Sequence, residues 1–188
     1  MNTKRGFTII EMLVVISIIT ILPVVVVANF PAIKSQFALS RTAHRFAQDV
    51  RRVQDMAISA VTYTDSFGVT RTVSGYGIYI NLVTPGNTQY IVYGDNNEQS
   101  PGDKRYNVGD YSVQTINFGA SEPGIVIKEM INIDGTAASI NFSPPNPDTT
   151  ITPLSQAQSQ IMVVFAIATD LSKTRTVLIN SSGLIEIQ

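Results

Sequence analysis

One apolar run near the start limits what this chain can become. From Phe7 to Ala28 the sequence reads FTIIEMLVVISIITILPVVVVA, 22 residues in which Glu11 is the one charged side chain. As a helix this run measures about 33 Å, close to the hydrocarbon thickness of a bilayer. Lys4 and Arg5 precede it, and the next charge is Lys34. Basic residues on that side predict an N-terminus in the cytoplasm with the rest of the chain outside. A conventional secretory signal would have an apolar core of about 7–15 residues and a small-x-small cleavage site. This run is longer, and Val26-Val27-Ala28 is a poor match to such a site. A plain membrane anchor would leave Glu11 without a role, because a carboxylate in an apolar helix is costly unless paired or placed at an end.

Composition removes several classes of function. The 188 residues contain no Cys and no Trp, and His44 is the one histidine. Disulfide scaffolds, cysteine zinc sites and thiol catalysis are therefore excluded. A His-rich metal centre and a Ser-His-Asp triad are not expected. With 13 basic and 14 acidic residues, the chain lacks the basic excess of a nucleic-acid binder. No phosphate-binding loop, HExxH or GxSxG pattern is present, so no enzyme activity is expected.

The stretch Lys4-Arg5-Gly6-Phe7-Thr8-Ile9-Ile10-Glu11-Met12-Leu13-Val14-Val15 resembles the N-terminal signal of type IV prepilins and pseudopilins. The elements in common are a short basic leader ending in Gly, a Phe after it, and a Glu four residues further on. The resemblance implies cleavage between Gly6 and Phe7 by a prepilin peptidase, N-methylation of Phe7, and retention of the apolar run. It also implies an assembly role for Glu11, whose carboxylate would pair with the Phe7 amine of an adjacent subunit. The residues suit these roles. Gly6 has no side chain to obstruct an extended backbone entering a protease site. Lys4 and Arg5 attract the leader to an anionic cytoplasmic leaflet. One departure concerns proline. The family often has a Pro where this chain has Ala28, and here Pro23 and Pro31 stand instead. Pro23 removes a helical hydrogen bond and is expected to kink the helix.

Helical spacing continues beyond the apolar run. Phe30, Ile33, Phe37, Phe46, Val50, Val53, Ala57 and Val61 recur at steps of three or four, with Ala43 bridging the gap. This stripe should pack on a globular domain. Lys34, Arg41, Arg45 and Arg52 fall near one face, with Asp49 and Asp55 close in sequence. They form a candidate contact face for an acidic partner or anionic headgroups, beside the simpler reading of a solvated surface. His44 reads as a surface or boundary residue.

From about residue 72 the period becomes that of strands. Strands are expected at Gly75–Val83, Gln89–Tyr93, Tyr111–Phe118, Gly124–Ile133, Ala138–Phe142, Gln160–Ala168, Thr174–Asn180 and Leu184–Gln188. Residues 143–159 are rich in Pro, Thr, Ser and Gln and read as an exposed loop. Tyr76, Tyr79, Tyr90 and Tyr93 read as sheet packing rather than a sugar platform. Asp95, Asn96, Asn97 and Glu98, with Asp103 and Asp110, are the one cluster of hard oxygen donors. Their spacing matches no calcium loop, so neither a metal nor a cofactor is expected.

The expected fold is α+β: a long N-terminal spine helix, its first half transmembrane, packed on an antiparallel sheet or sandwich head. Residues 1–6 form the leader, 7–28 the apolar helix, 29–62 its amphipathic continuation and 63–188 the head. Within the superfamily, Arg41–Ala60, Ile140–Pro144 and the ending NSSGLIEIQ resemble the H-type minor pseudopilins and related minor pilins. The resemblance implies a structural subunit precursor in the bacterial inner membrane that passes into a type IV pilus or a type II secretion pseudopilus. Its partners would be prepilin peptidase, other pilin or pseudopilin subunits, and an assembly platform with a separate ATPase. Display of a binding module, for DNA uptake or adhesion, is the alternative. Some pilus members of that group bind DNA through C-terminal basic residues. Here no Arg or Lys follows Gly183, so nucleic acid is not favoured.

Overall fold

The computed structural model describes residues 6–65, 67–96, 102–107, 109–144, 148–153 and 159–188. It divides into two compact units, Met1–Phe37 and Ala38–Gln188. Helix α1, Ile9–Ile58, contributes residues to both and continues through Pro23 and Pro31.

In the first unit, the large apolar side chains of α1 are exposed, among them Ile9, Leu13, Ile18, Phe30 and Phe37. The hydroxyls within this stretch find partners inside the helix. Ser17 donates to the Leu13 carbonyl at 2.8 Å and Thr20 to the Ile16 carbonyl at 3.0 Å. Such back-bonding satisfies a polar side chain without water. Among the described residues no helix is long and apolar enough to cross a membrane. The side chains are described without a break from Ile9 to Val24, about 24 Å of helix.

In the second unit α1 buries Leu39, Ala43, Phe46, Val50, Val53 and Ala57. Their alternating steps of four and three make one apolar stripe. The stripe read from sequence is therefore covered from Ala43 to Ala57 within this unit, whereas Phe30, Ile33, Phe37 and Val61 are exposed. The helix ends at Ile58 rather than near residue 62.

Strands β1 (Tyr63–Thr64) and β2 (Thr70–Arg71) then form a short hairpin that the sequence reading did not include. A five-stranded sheet follows, built from β3 (Val73–Asn81), β4 (Gln89–Asn96), β5 (Tyr111–Asn117), β7 (Ala137–Ser143) and β8 (Asp148–Thr152). Its order is β5-β4-β3-β7-β8. The second sheet holds β6 (Ile125–Ile131), β9 (Gln160–Ile167), β10 (Asp170–Asn180) and β11 (Ile185–Ile187), ordered β11-β10-β9-β6. All pairings are antiparallel. The eight expected strands are present with shifted ends. Strand β8 corrects the expectation of an exposed loop over 143–159. Thr149 and Ile151 alternate inward on it, and β-branched residues suit a pleated edge.

The helix and both sheets share one core, which includes Phe46, Ile78, Ile140, Ile127, Val163 and Phe165. Phe46 meets Tyr90 edge-on at 5.0 Å and Phe165 at 5.4 Å. The Tyr90 hydroxyl donates to Asp49 Oδ2 at 2.6 Å, a charge-assisted bond that fixes the helix against β4. Burial, reinforced by the Asp49 carboxylate, pushes the Tyr90 phenol far above its ordinary range.

Candidate functional site

The residues expected to be processed lie at the start of α1. Gly6, Phe7 and Thr8 are non-helical and exposed. A Cβ built on Gly6 would meet nothing within 4 Å. The fold itself makes no demand for glycine there, so any demand comes from outside the chain. Lys4 and Arg5 lie outside the described residues.

Thr8 and Glu11 cap the helix together. The Thr8 N–H and hydroxyl both donate to Glu11 Oε2 at 2.8 Å, and the Glu11 N–H donates to Thr8 Oγ1 at 3.3 Å. This is the reciprocal capping box, with Thr8 at the cap and Glu11 three residues on. Two helix-end N–H groups thus gain partners, and the carboxylate is held beside the positive end of the helix dipole. Phe7, Ile10, Glu11, Val14 and Val15 line one shallow hollow that is almost wholly apolar. The sequence reading passed over Thr8, although a Thr-x-x-Glu ahead of an apolar run is a legible cap.

The basic residues of α1 have separate surroundings. Lys34 is exposed in the first unit. Arg41 pairs with Glu122 and Arg45 donates to Ser121 Oγ at 3.5 Å, both at the turn that opens β6. Arg52 lies 3.5 Å from Asp49 and donates to Gln114 Oε1 at 3.0 Å on β5. Three of the four therefore bind the chain's own head, and their outward edges remain available. His44 is exposed.

The acidic cluster is partly assembled. Asp95, Asn96, Asp103, Asn107 and Asp110 line a cavity of about 110 Å³, while Asn97 and Glu98 lie outside the described residues. The carboxylates bind the loop's own backbone. Asp95 Oδ2 accepts from the Lys104 N–H at 3.0 Å, and Asp110 accepts from the N–H groups of Asn96 and Asn107 at 3.0 and 2.7 Å. Asp95 is buried, and desolvation, reinforced by the Asp110 and Asp103 charges, pushes its carboxyl up to about 6. Burial raises Asp110 as well. Among the described residues no group of three or more His, Cys, Asp or Glu side chains could hold a metal ion.

Comparison with known proteins bears on the N-terminal segment. The family described as the prokaryotic N-terminal methylation motif matches residues 1–22. The first 22 residues thus match the N-terminal signal of type IV pilins and pseudopilins. Such a signal implies processing by prepilin peptidase and assembly with other pilins. Among solved structures, the type IV minor pilin FimU of Pseudomonas aeruginosa (strain PAO1) is similar, with a TM-score of 0.49 and 10% identity over 80% of this chain and 87% of that one. No curated protein matches the chain.

Proposed function

We propose that this chain is a minor structural subunit of a type IV pilus or type II secretion pseudopilus. In this reading residues 1–6 are the leader and Phe7 becomes the N-methylated first residue of the mature subunit. Residues 7–28 hold the precursor in the bacterial inner membrane with its N-terminus in the cytoplasm. Residues 29–62 continue the spine and 63–188 form a head carried outside. An assembly platform with a separate ATPase then draws the helix into a periplasmic or extracellular filament.

The observation that carries this reading is the contrast within the first unit. Its apolar side chains stand exposed around a single carboxylate, Glu11, already held in a capping box. Burying each Ile, Leu, Val or Phe contributes about 1.5–3 kcal/mol. Lipid can cover these side chains before assembly and neighbouring helices can do so afterwards. Apolar contact alone does not fix the axial register of one helix on another. A carboxylate seeking an ammonium does, because an unpaired charge in that setting is expensive. Cleavage after Gly6 creates such an ammonium on Phe7, which in a neighbouring subunit would meet Glu11 as the capping bonds from Thr8 loosen. The test is incorporation of Glu11→Ala into filaments. Loss of incorporation with cleavage intact is expected. Normal incorporation would remove Glu11 from the assembly step.

A further inference from the structure

A second site lies on the head, away from the helix. Tyr79 on β3, Ser139 on β7 and Thr152 on β8 form one row across three strands, since Tyr79 pairs with Ser139 and Ser139 with Thr152. Their neighbours Ile78, Ile80, Ile140 and Ile151 are buried in the core, so this row occupies the opposite face of the sheet. The loop after β4 lays Tyr106 over that face. The Tyr106 ring lies 4.6 Å from Tyr79 and 5.3 Å from Tyr93, centroid to centroid. Its N–H donates to Ser139 Oγ at 3.0 Å. Next to it the Lys104 N–H is held by Asp95 and the Arg105 N–H by Asp103. The loop is therefore fastened at successive residues, and the cavity beside it is built in advance of any ligand.

That cavity measures about 180 Å³ and is lined by Tyr79, Arg105, Tyr106, Ser139, Thr152 and Pro153 among others. Its lining contains unused polar capacity. The Arg105 guanidinium has no ion-pair or hydrogen-bond partner among the described residues. The Tyr79 hydroxyl accepts from Asn81 Nδ2 at 2.8 Å, so its own proton is available to donate. The remaining surface is aromatic ring, Ala137, Ala138 and Pro153.

We infer that this cavity binds a single pyranose sugar bearing a carboxylate, as a residue of an acidic polysaccharide. The volume falls below that of sites for drug-sized ligands, so it suits one ring. The ring's C–H face matches the tyrosines and Pro153, and one of its hydroxyls matches the Tyr79 donor. The carboxylate matches Arg105, whose planar fork pairs with that group best. The inference is independent of how the N-terminus is processed.

Saturation-transfer NMR on the full chain in detergent micelles tests it, with sodium glucuronate, glucose and acetate as separate probes. Glucuronate should receive transfer at its ring protons, with glucose about tenfold weaker and acetate failing to compete. Tyr79→Phe and Arg105→Gln should each weaken glucuronate about tenfold, the scale of one lost hydrogen bond to a charged group. Arg175→Gln, on the other sheet, should leave binding unchanged. The inference fails if glucuronate receives no transfer, if glucose binds equally, or if acetate competes as well as glucuronate. It also fails if Arg105→Gln or Tyr79→Phe leaves binding unchanged, or if Arg175→Gln weakens it as much.

Discussion

Helix α1 has one backbone pattern and two fates. Phe30 and Phe46 are both aromatic members of its apolar stripe, yet Phe30 is 61% exposed and Phe46 is fully buried. From Ala38 on, the helix is part of a core completed by two sheets. Before Phe37, the same spacing of apolar residues meets no covering surface within its own unit. The difference shows that helical periodicity specifies a face, and that only other parts of a structure specify what covers it. In the second unit the cover comes from the chain itself. In the first, under the proposed function, it comes from lipid or from other subunits.

The largest expected effect separates these two regions. Phe46→Ala removes a ring packed on Tyr90 and Phe165, and should destabilise the head by about 3–5 kcal/mol. Phe30→Ala should shift head unfolding by no more than about 0.5 kcal/mol, as at an ordinary surface site. Denaturant unfolding of the full chain in micelles, followed by tyrosine fluorescence, measures both. Equal losses would erase the distinction.

The next effect concerns acidity. The Asp95 carboxyl is held at about 6, above the ordinary Asp value near 4. A raised carboxyl favours the folded state in its protonated form. The contribution is therefore fully present below about pH 4 and is lost as pH rises through about 6, on the order of 1 kcal/mol. Thermal unfolding should show the head less stable at pH 7.5 than at pH 5. Asp95→Asn should flatten that slope and leave the smaller part due to Asp110, which shifts in the same direction. An unchanged slope would mean that Asp95 is better solvated than its burial indicates.

The smallest effect is at the helix–head rim. Arg41 and Glu122 pair with side-chain exposures of 62% and 19%, so Arg41→Ala should cost less than about 1 kcal/mol. High salt should reduce the loss further. A larger loss would make the rim a principal clamp and the apolar stripe secondary.

Legibility in the sequence followed locality. The N-terminal signal was readable because its chemistry lies within a few consecutive residues. The Thr8–Glu11 cap was equally local and was passed over. The strands were visible wherever alternation was clean, as in Tyr76–Asn81. Strand β8 was hidden by flanking prolines that imitate a loop. The link between Asp49 and Tyr90 had no local sign, because 41 residues separate the partners. The spacing of Arg41, Arg45 and Arg52 showed a shared face but not Glu122, Ser121 and Gln114 opposite it. Tyr79 looked equivalent to Tyr76, Tyr90 and Tyr93, yet those three are buried while Tyr79 lines an open cavity.

The central claim is that this chain is a precursor whose apolar helix is kept after its leader is removed. Co-expression with a prepilin peptidase, followed by mass spectrometry of the membrane-associated product, tests it most directly. The account predicts a product beginning at N-methylated Phe7, with Gly6→Val retaining the leader. An intact leader on the unaltered chain, or a cut that removes the apolar run, would contradict it.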